Sequence, residues 1–168
     1  RKMKTNNKNL VDFICHSNGN NEQNTGLLQK NTDFESYKLV YVYEDTCYVY
    51  IDGKCYEVPE GCSVLIFPKC RFEIKANERT KYTWLEFSGF ASAAIISRIE
   101  VSKKSPVLGK IDVDDFEFMF EMTDVTDRSD EPYLLYRFGG ILLMLLSYYI
   151  EKFPSKTLEA DGYVVRAC

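Results

Sequence analysis

From Tyr37 onward the chain is written in short runs of large apolar and polar side chains: "YKLVYVY", "TCYVYI", "KCYEV", "SVLIF", "RFEIKA" and "YTWLEF", separated by turn signals at close intervals. A period of two sends successive side chains to opposite faces of a strand, so the pattern predicts an all-β module. Asp52-Gly53 sits between Ile51 and Lys54 and reads as a two-residue hairpin turn, because both turn positions need positive φ. That turn pairs Ile51 with Lys54, Val49 with Tyr56 and Cys47 with Val58. Cys47, Val49, Ile51, Tyr56 and Val58 then form one mostly apolar face, expected to point inward, while Tyr48, Tyr50, Cys55 and Glu57 share the other. "CSVLIFP" does not alternate, as expected of a strand buried on both sides.

In "KYTWLEFSGF" the side chains of Tyr82, Trp84 and Glu86 lie opposite Thr83, Leu85 and Phe87, and the pattern stops at Ser88-Gly89. Beyond Gly89 the period lengthens. "ASAAIISRIE" has helical spacing, and the stretch from Asp114 to Thr123 places Phe116, Met119, Phe120 and Thr123 at i, i+3, i+4, i+7. Asp114 with Glu117 resembles a capping box. A further helix is predicted to start after Asp130, with Pro132 in its first turn, and to run to about Phe153. It carries Leu135, Phe138, Leu142, Leu145 and Tyr149 in a 3-4-3-4 spacing, with Leu134, Ile141 and Tyr148 on an adjoining stripe. Apolar side chains over so much of a helix need cover on two sides. Either the helix is buried wholly within its own chain, or one stripe packs on the sheet and the other on a second copy, which is the favoured reading. Residues 1–32 are Asn-rich, broken only by "LVDFIC", and are expected to form an arm with little regular structure.

Composition narrows the classes. The 168 residues, 45% hydrophobic and 27% charged, suffice for one globular domain with a helical appendage. A formal net charge of -4 with scattered basic residues leaves no electrostatic footprint for a phosphate backbone, so these residues are not expected to bind DNA themselves. "RKMKTNNKNL" is followed by no apolar h-region, and the longest apolar run near the C-terminus, Ile141 to Leu146, is shorter than a bilayer needs; a cytoplasmic protein without membrane contact is expected. The six cysteines show no C-x-x-C spacing, and reduced thiols acting as small hydrophobes are the reading.

The candidate chemistry lies on the Tyr82, Trp84, Glu86 face. A small β-barrel is wide enough to hold one small ligand, and a pocket needs an apolar lining with few convergent polar groups. An indole can stack on the C–H face of a sugar ring, and a carboxylate can accept hydroxyl hydrogen bonds. A strand tryptophan is more often part of a packed core than a ligand platform, and a strand-end glutamate is usually just solvated. An enzyme is disfavoured: His16 is the only histidine and falls in the arm, so neither a His-based triad nor a multi-His metal site can be assembled, and no Gly-rich phosphate cradle occurs. No metal or other cofactor is expected.

The order of these runs, with Glu60-Gly61 followed by Pro68 and with Trp84-x-x-Phe87-x-Gly89, resembles the N-terminal effector-binding domain of AraC-family bacterial transcription regulators over about Tyr37 to Phe90. The resemblance implies a mainly β fold, a cupin-type, jelly-roll-like β-barrel, followed by a two- to three-helix dimerisation region. It implies a small effector, often a sugar, in the barrel, an N-terminal arm able to close over it, and a homodimer, and it assigns the 3-4-3-4 stripe of the last helix to dimerisation. Trp84 and Tyr82 would line the pocket, with Glu86, Arg71 and Lys38 as polar contacts. Unlike metal-dependent cupins, the barrel strands here carry no histidine cluster. The expected organisation is an arm and lead-in strand over 1–36, the barrel over 37–90, the helical region over 91–160, and over 161–168 the start of a linker to a helix-turn-helix DNA-binding region. The expected function is effector sensing, with a saccharide the favoured ligand; a cupin enzyme acting on a small sugar or acid, or a ligand-free dimerisation module, are the alternatives.

Overall fold

The computed structural model describes residues 14–20, 24–27, 36–89, 91–112, 114, 116–122 and 131–156. The strands are β1 (Ile14–Asn20), β2 (Asn24–Leu27), β3 (Tyr37–Glu44), β4 (Cys47–Ile51), β5 (Lys54–Val58), β6 (Ser63–Ile66), β7 (Arg71–Lys75), β8 (Lys81–Ser88) and β9 (Val107–Leu108). The helices are α1 (Ser92–Ile96), α2 (Phe116–Glu121) and α3 (Pro132–Lys152). The strands form two antiparallel sheets, ordered β1-β8-β3-β6-β9 and β2-β7-β4-β5. One apolar cluster fills the space between the sheets, and a second lies between the five-stranded sheet and the helices. The mainly β, cupin-type, jelly-roll-like architecture with three following helices is as expected.

The β4–β5 hairpin has the register read from its turn: Cys47 opposite Val58, Val49 opposite Tyr56 and Ile51 opposite Lys54. Asp52 and Gly53 have φ of 48° and 82°, which matches the right-handed twist of the flanking strands. Cys47, Val49, Ile51 and Val58 are buried, Tyr56 is half-buried, and Tyr48, Cys55 and Glu57 face solvent. All four residues of β6 are buried, because Val64 and Ile66 enter the inter-sheet cluster while Leu65 enters the helix-side cluster.

Two expectations are corrected. The arm is not irregular where it is described: β1 runs along β8 from Ile14 opposite Ser88 to Asn20 opposite Thr83, and β2 pairs with β7 from Asn24 opposite Ile74 to Leu27 opposite Arg71. The arm thus supplies one strand to each sheet, and backbone pairing with β8 and β7 stands in for the missing apolar alternation. The capping pair Asp114 and Glu117 lies outside the described residues, since the Glu117 side chain is not among them.

The second correction concerns α3. Phe138, Leu142, Leu145 and Tyr149 are buried inside this chain, packed with Tyr41, Phe116 and Phe120, so this stripe is not presented to a second copy. Ile141 and Leu146 are buried with them. The Leu135 side chain lies outside the described residues. Tyr149 Oη and Ser63 Oγ are hydrogen-bonded at 2.5 Å, tying α3 to β6, and burial pushes the Tyr149 hydroxyl well above the usual tyrosine range. The outward stripe of α3 is Tyr133, Tyr136, Leu143 and Met144, and Phe118 of α2 and Met122 just beyond it are also exposed. With 21 residues, α3 is long and apolar enough to cross a bilayer by length and composition, although its uninterrupted apolar run is short; its inner face is the centre of the helix-side core.

Candidate functional site

Period-two alternation in β3 and β8 decides which side chains enter the space between the sheets. Val40 and Val42 from β3 and Tyr82 and Trp84 from β8 go in, while Leu39, Tyr41, Leu85 and Phe87 go to the helix side. Lys38 shares the inward face of β3 and is paired in register with Glu86 of β8 and Ile66 of β6. A cation is thereby carried into an apolar layer with only 3% of its side chain exposed.

The Lys38 ammonium lies 3.9 Å from the centroid of the Trp84 ring and 4.4 Å from that of Phe72, a double cation–π arrangement. Its Nζ is 3.9 Å from Glu86 Oε2. Burial lowers the Lys38 pKa to about 8, and the Glu86 carboxylate opposes that shift without cancelling it. Trp84 is itself buried, and its indole Nε1–H meets no acceptor among the described residues. Such an orphan donor in a dry layer is costly unless something accepts from it.

The structure therefore brings Lys38, Trp84 and Glu86 together and places Tyr82, 1% exposed, further along the same face. Arg71 is not with them. In β7 the inward residues are Phe72 and Ile74, which leaves Arg71 exposed on the opposite face; its backbone N–H donates to Asp52 Oδ1 at 2.8 Å. Phe72, which the sequence reading passed over, takes the place beside Lys38. Its signal was present in "RFEIKA", where Phe72 and Ile74 alternate with Arg71, Glu73 and Lys75.

Between the sheets the volume is filled by Val, Ile, Cys and aromatic side chains, so the interior is a packed layer. Clefts open at its margins. One, of about 610 Å³, lies along the β7–β8 connection, lined by Glu73, Ile74, Asn77, Thr80, Lys81 and Tyr82 among others. A second, of about 350 Å³, lies beside the β4–β5 turn. Cys47, Cys55, Cys62 and Cys70 are free thiols; Cys47 and Cys70 are buried, and burial raises the Cys47 pKa to about 11, the opposite of an activated nucleophile.

Residues 10–130 match the AraC-like ligand binding domain family. No curated protein matches the chain. Among solved structures, ToxT from Vibrio cholerae is similar at 11% identity with a TM-score of 0.40, over 83% of this chain and 58% of ToxT. KdgF from Halomonas sp. is similar at 11% identity and a TM-score of 0.33, over 51% of this chain and 76% of that one. A cupin protein from Bacteroides fragilis gives 12% identity and a TM-score of 0.33, over 61% and 75%. This chain thus spans little more than half the length of ToxT.

Proposed function

The chain belongs to the AraC-like ligand binding domain family, and from that premise we propose that it is the effector-sensing part of a bacterial, cytoplasmic transcription regulator that acts by binding rather than by turnover. The effector is a small molecule recognised at Lys38, Trp84 and Glu86, with Tyr82 behind them, and it enters by opening the packed layer from the Glu86 end, where that side chain is 23% exposed. The observation that carries this reading is the buried Trp84 Nε1–H without an acceptor, next to a cation and a carboxylate. Donor and acceptor groups converge there in an otherwise apolar layer, which is the composition of a specific small-molecule site.

A saccharide fits this set. Its hydroxyls can accept from Nε1–H and from the ammonium and can donate to Glu86. One face of the indole is already covered by Lys38, so the edge of the ring, rather than stacking on that face, supplies the contact. The effector acts by favouring one arrangement of the domain over another, since a ligand without such a preference shifts no equilibrium.

Homodimerisation belongs to the same proposal, now through the outward stripe of α3. Tyr133, Tyr136, Leu143 and Met144 form an exposed apolar surface of the kind that marks a protein contact. DNA recognition is assigned to a helix-turn-helix region of the whole regulator.

The test is a calorimetric titration with mono- and disaccharides, checked in the wild type by the emission of Trp84, the chain's single tryptophan, and repeated by calorimetry with Trp84→Phe. A saturable response that weakens about tenfold in Trp84→Phe is expected, since the variant keeps the ring and loses one hydrogen bond. A flat response to every sugar in the folded wild-type domain removes the saccharide; unchanged affinity in Trp84→Phe removes the indole N–H from the site.

A further inference from the structure

The second cleft is unlike the rest of the molecule in charge. The chain is net negative, yet the mouth beside the β4–β5 turn is rimmed by Lys54, Lys103 and Lys104, with Asp52 the one acidic side chain in its lining. Asp52 is already engaged, its carboxylate accepting from the Arg71 backbone N–H at 2.8 Å. Among the described residues no carboxylate forms an ion pair with any of the three lysines. Below the rim the walls are apolar: Ile51, Tyr56, Leu65, Phe67 and Pro106, with Cys70 at the base.

The rim is positioned by the backbone. Ser102 and Ser105 exchange N–H···O hydrogen bonds at 3.1 Å in each direction, and the Ser105 N–H also reaches Ser102 Oγ at 3.1 Å. Lys103 and Lys104 are therefore the two central residues of a closed four-residue turn, where side chains project from the tip. The Leu65 N–H donates to the Pro106 carbonyl at 2.9 Å, which fixes the turn to β6 and holds it over the cleft. On the far wall the Lys54 ammonium sits 5.1 Å from the Tyr56 ring centroid. Cations arrive from two separate chain segments at one apolar opening.

We propose that this cleft binds a small organic anion with an apolar body, a carboxylate whose chain lies against Ile51, Leu65, Phe67 and Pro106 and whose head meets Lys103, Lys104 and Lys54. The volume of about 350 Å³ is near the lower end of small-molecule sites, so the ligand is short. The site shares no residue with Lys38, Trp84 and Glu86, and it stands or falls independently of the saccharide reading. The two are not isolated, because Ile51 and Cys70 at the inner wall belong to the same packed cluster as Phe72 and Trp84, so the cleft is placed to act as a second, modulating input.

The experiment is calorimetric titration of the whole chain with butyrate, hexanoate and octanoate, with 1-octanol and octylamine as head-group controls, together with amide NMR of Ser102 to Ser105. Saturable octanoate binding is expected, with shifts at the 102–105 turn and an affinity rising about fourfold per added methylene. The exposed charge reversals Lys103→Glu and Lys104→Glu, combined, are expected to weaken octanoate at least tenfold without altering unfolding, and added salt to weaken it in the wild type. Octanol or octylamine binding as tightly as octanoate, no gain with chain length, or an unaffected double variant would each overturn the proposal. Shifts confined to residues lining the inter-sheet cluster, with none at the turn, would also overturn it by moving the anion to the Lys38 site.

Discussion

Replacing Lys38 by Met isolates the most unusual feature of the domain, a cation held in a dry layer. The variant keeps the length of the side chain and places a thioether between Trp84 and Phe72, a favourable contact for sulfur. The shift of Lys38 from an ordinary 10.5 to about 8 corresponds to about 3 kcal/mol between the two protonation states, or about 2–3 kcal/mol allowing for residual solvent screening. The folded pKa is lowered, so between about pH 8 and the unfolded value near 10.4 the unfolded chain binds more protons. Lys38 therefore adds stability to the wild type as pH rises through that window and opposes folding below it. At neutral pH Lys38→Met is expected to be the more stable protein by about 1–2 kcal/mol, the cation–π contacts offsetting the remainder. The difference should move by about 2–3 kcal/mol towards the wild type up to about pH 10.5, so that the advantage is lost and the order of the two proteins reverses. Cys47, Cys62, Cys70 and Tyr149, all with pKa values raised by burial, titrate in or above the same range but are common to both proteins and cancel in the difference. Urea unfolding followed by Trp84 emission reads the effect as a relative midpoint change of about 1–2 M. A difference between the two proteins that stays constant across the window would mean that water reaches the ammonium, and the argument for a dry Lys38 site would fail.

Three further outcomes follow from the packing. Tyr149→Phe leaves Ser63 Oγ without its buried partner, and urea unfolding should show a loss of about 1–2 kcal/mol, with a Ser63→Ala, Tyr149→Phe double-mutant cycle giving a coupling near 1 kcal/mol. Leu142→Ala should cost about 2–5 kcal/mol of stability, since this side chain is wholly buried, whereas Leu143→Glu should leave unfolding nearly unchanged and, if the proposed contact through the outward stripe of α3 holds, lower the sedimenting mass to that of a monomer. Gly53→Ala puts a Cβ on a residue with φ of 82° and should lower the urea midpoint by an amount equivalent to about 1 kcal/mol, although nothing within 4 Å would touch the new methyl.

The parts of this fold that were legible in the sequence are those whose cause is local. Asp52-Gly53 dictates the turn, the turn dictates the register, and the register dictates which of Cys47 to Val58 are buried. The same alternation placed Tyr82 and Trp84 in one layer and Leu85 and Phe87 in the other. β1 and β2 were not legible, because "ICHSNGN" and "NTGL" carry no apolar period; they exist through ladders to β8 and β7, partners more than forty residues away in the chain. Arg71 was misplaced for a related reason: no turn residue fixed the register of β7, so its inward face could be read only from the apolar pair Phe72 and Ile74.

The helix α3 shows where periodicity stops and topology begins. Its sequence declares two apolar stripes, and a period of 3.6 cannot say which of them meets the sheet. That choice is made by the aromatic group awaiting it: Tyr41 from β3 lies parallel to Phe120 at 5.2 Å and edge-on to Phe116 at 5.1 Å, and Tyr149 packs on Phe116 at 5.6 Å. Once Tyr149 reaches Ser63, rotating the helix to present Leu142 and Leu145 outward would break a buried hydrogen bond and expose side chains that are now wholly buried. Leu134, Ile141 and Tyr148 turn towards the same core, so what is left outside is neither declared stripe but Tyr133, Tyr136, Leu143 and Met144, mostly aromatic and sulfur-bearing types that are enriched at interfaces. An oligomer built on α3 would have to use the face opposite to the one that the 3-4-3-4 spacing picks out, and the Tyr149–Ser63 hydrogen bond would then join that helix to β6, the strand whose Ile66 pairs with Lys38.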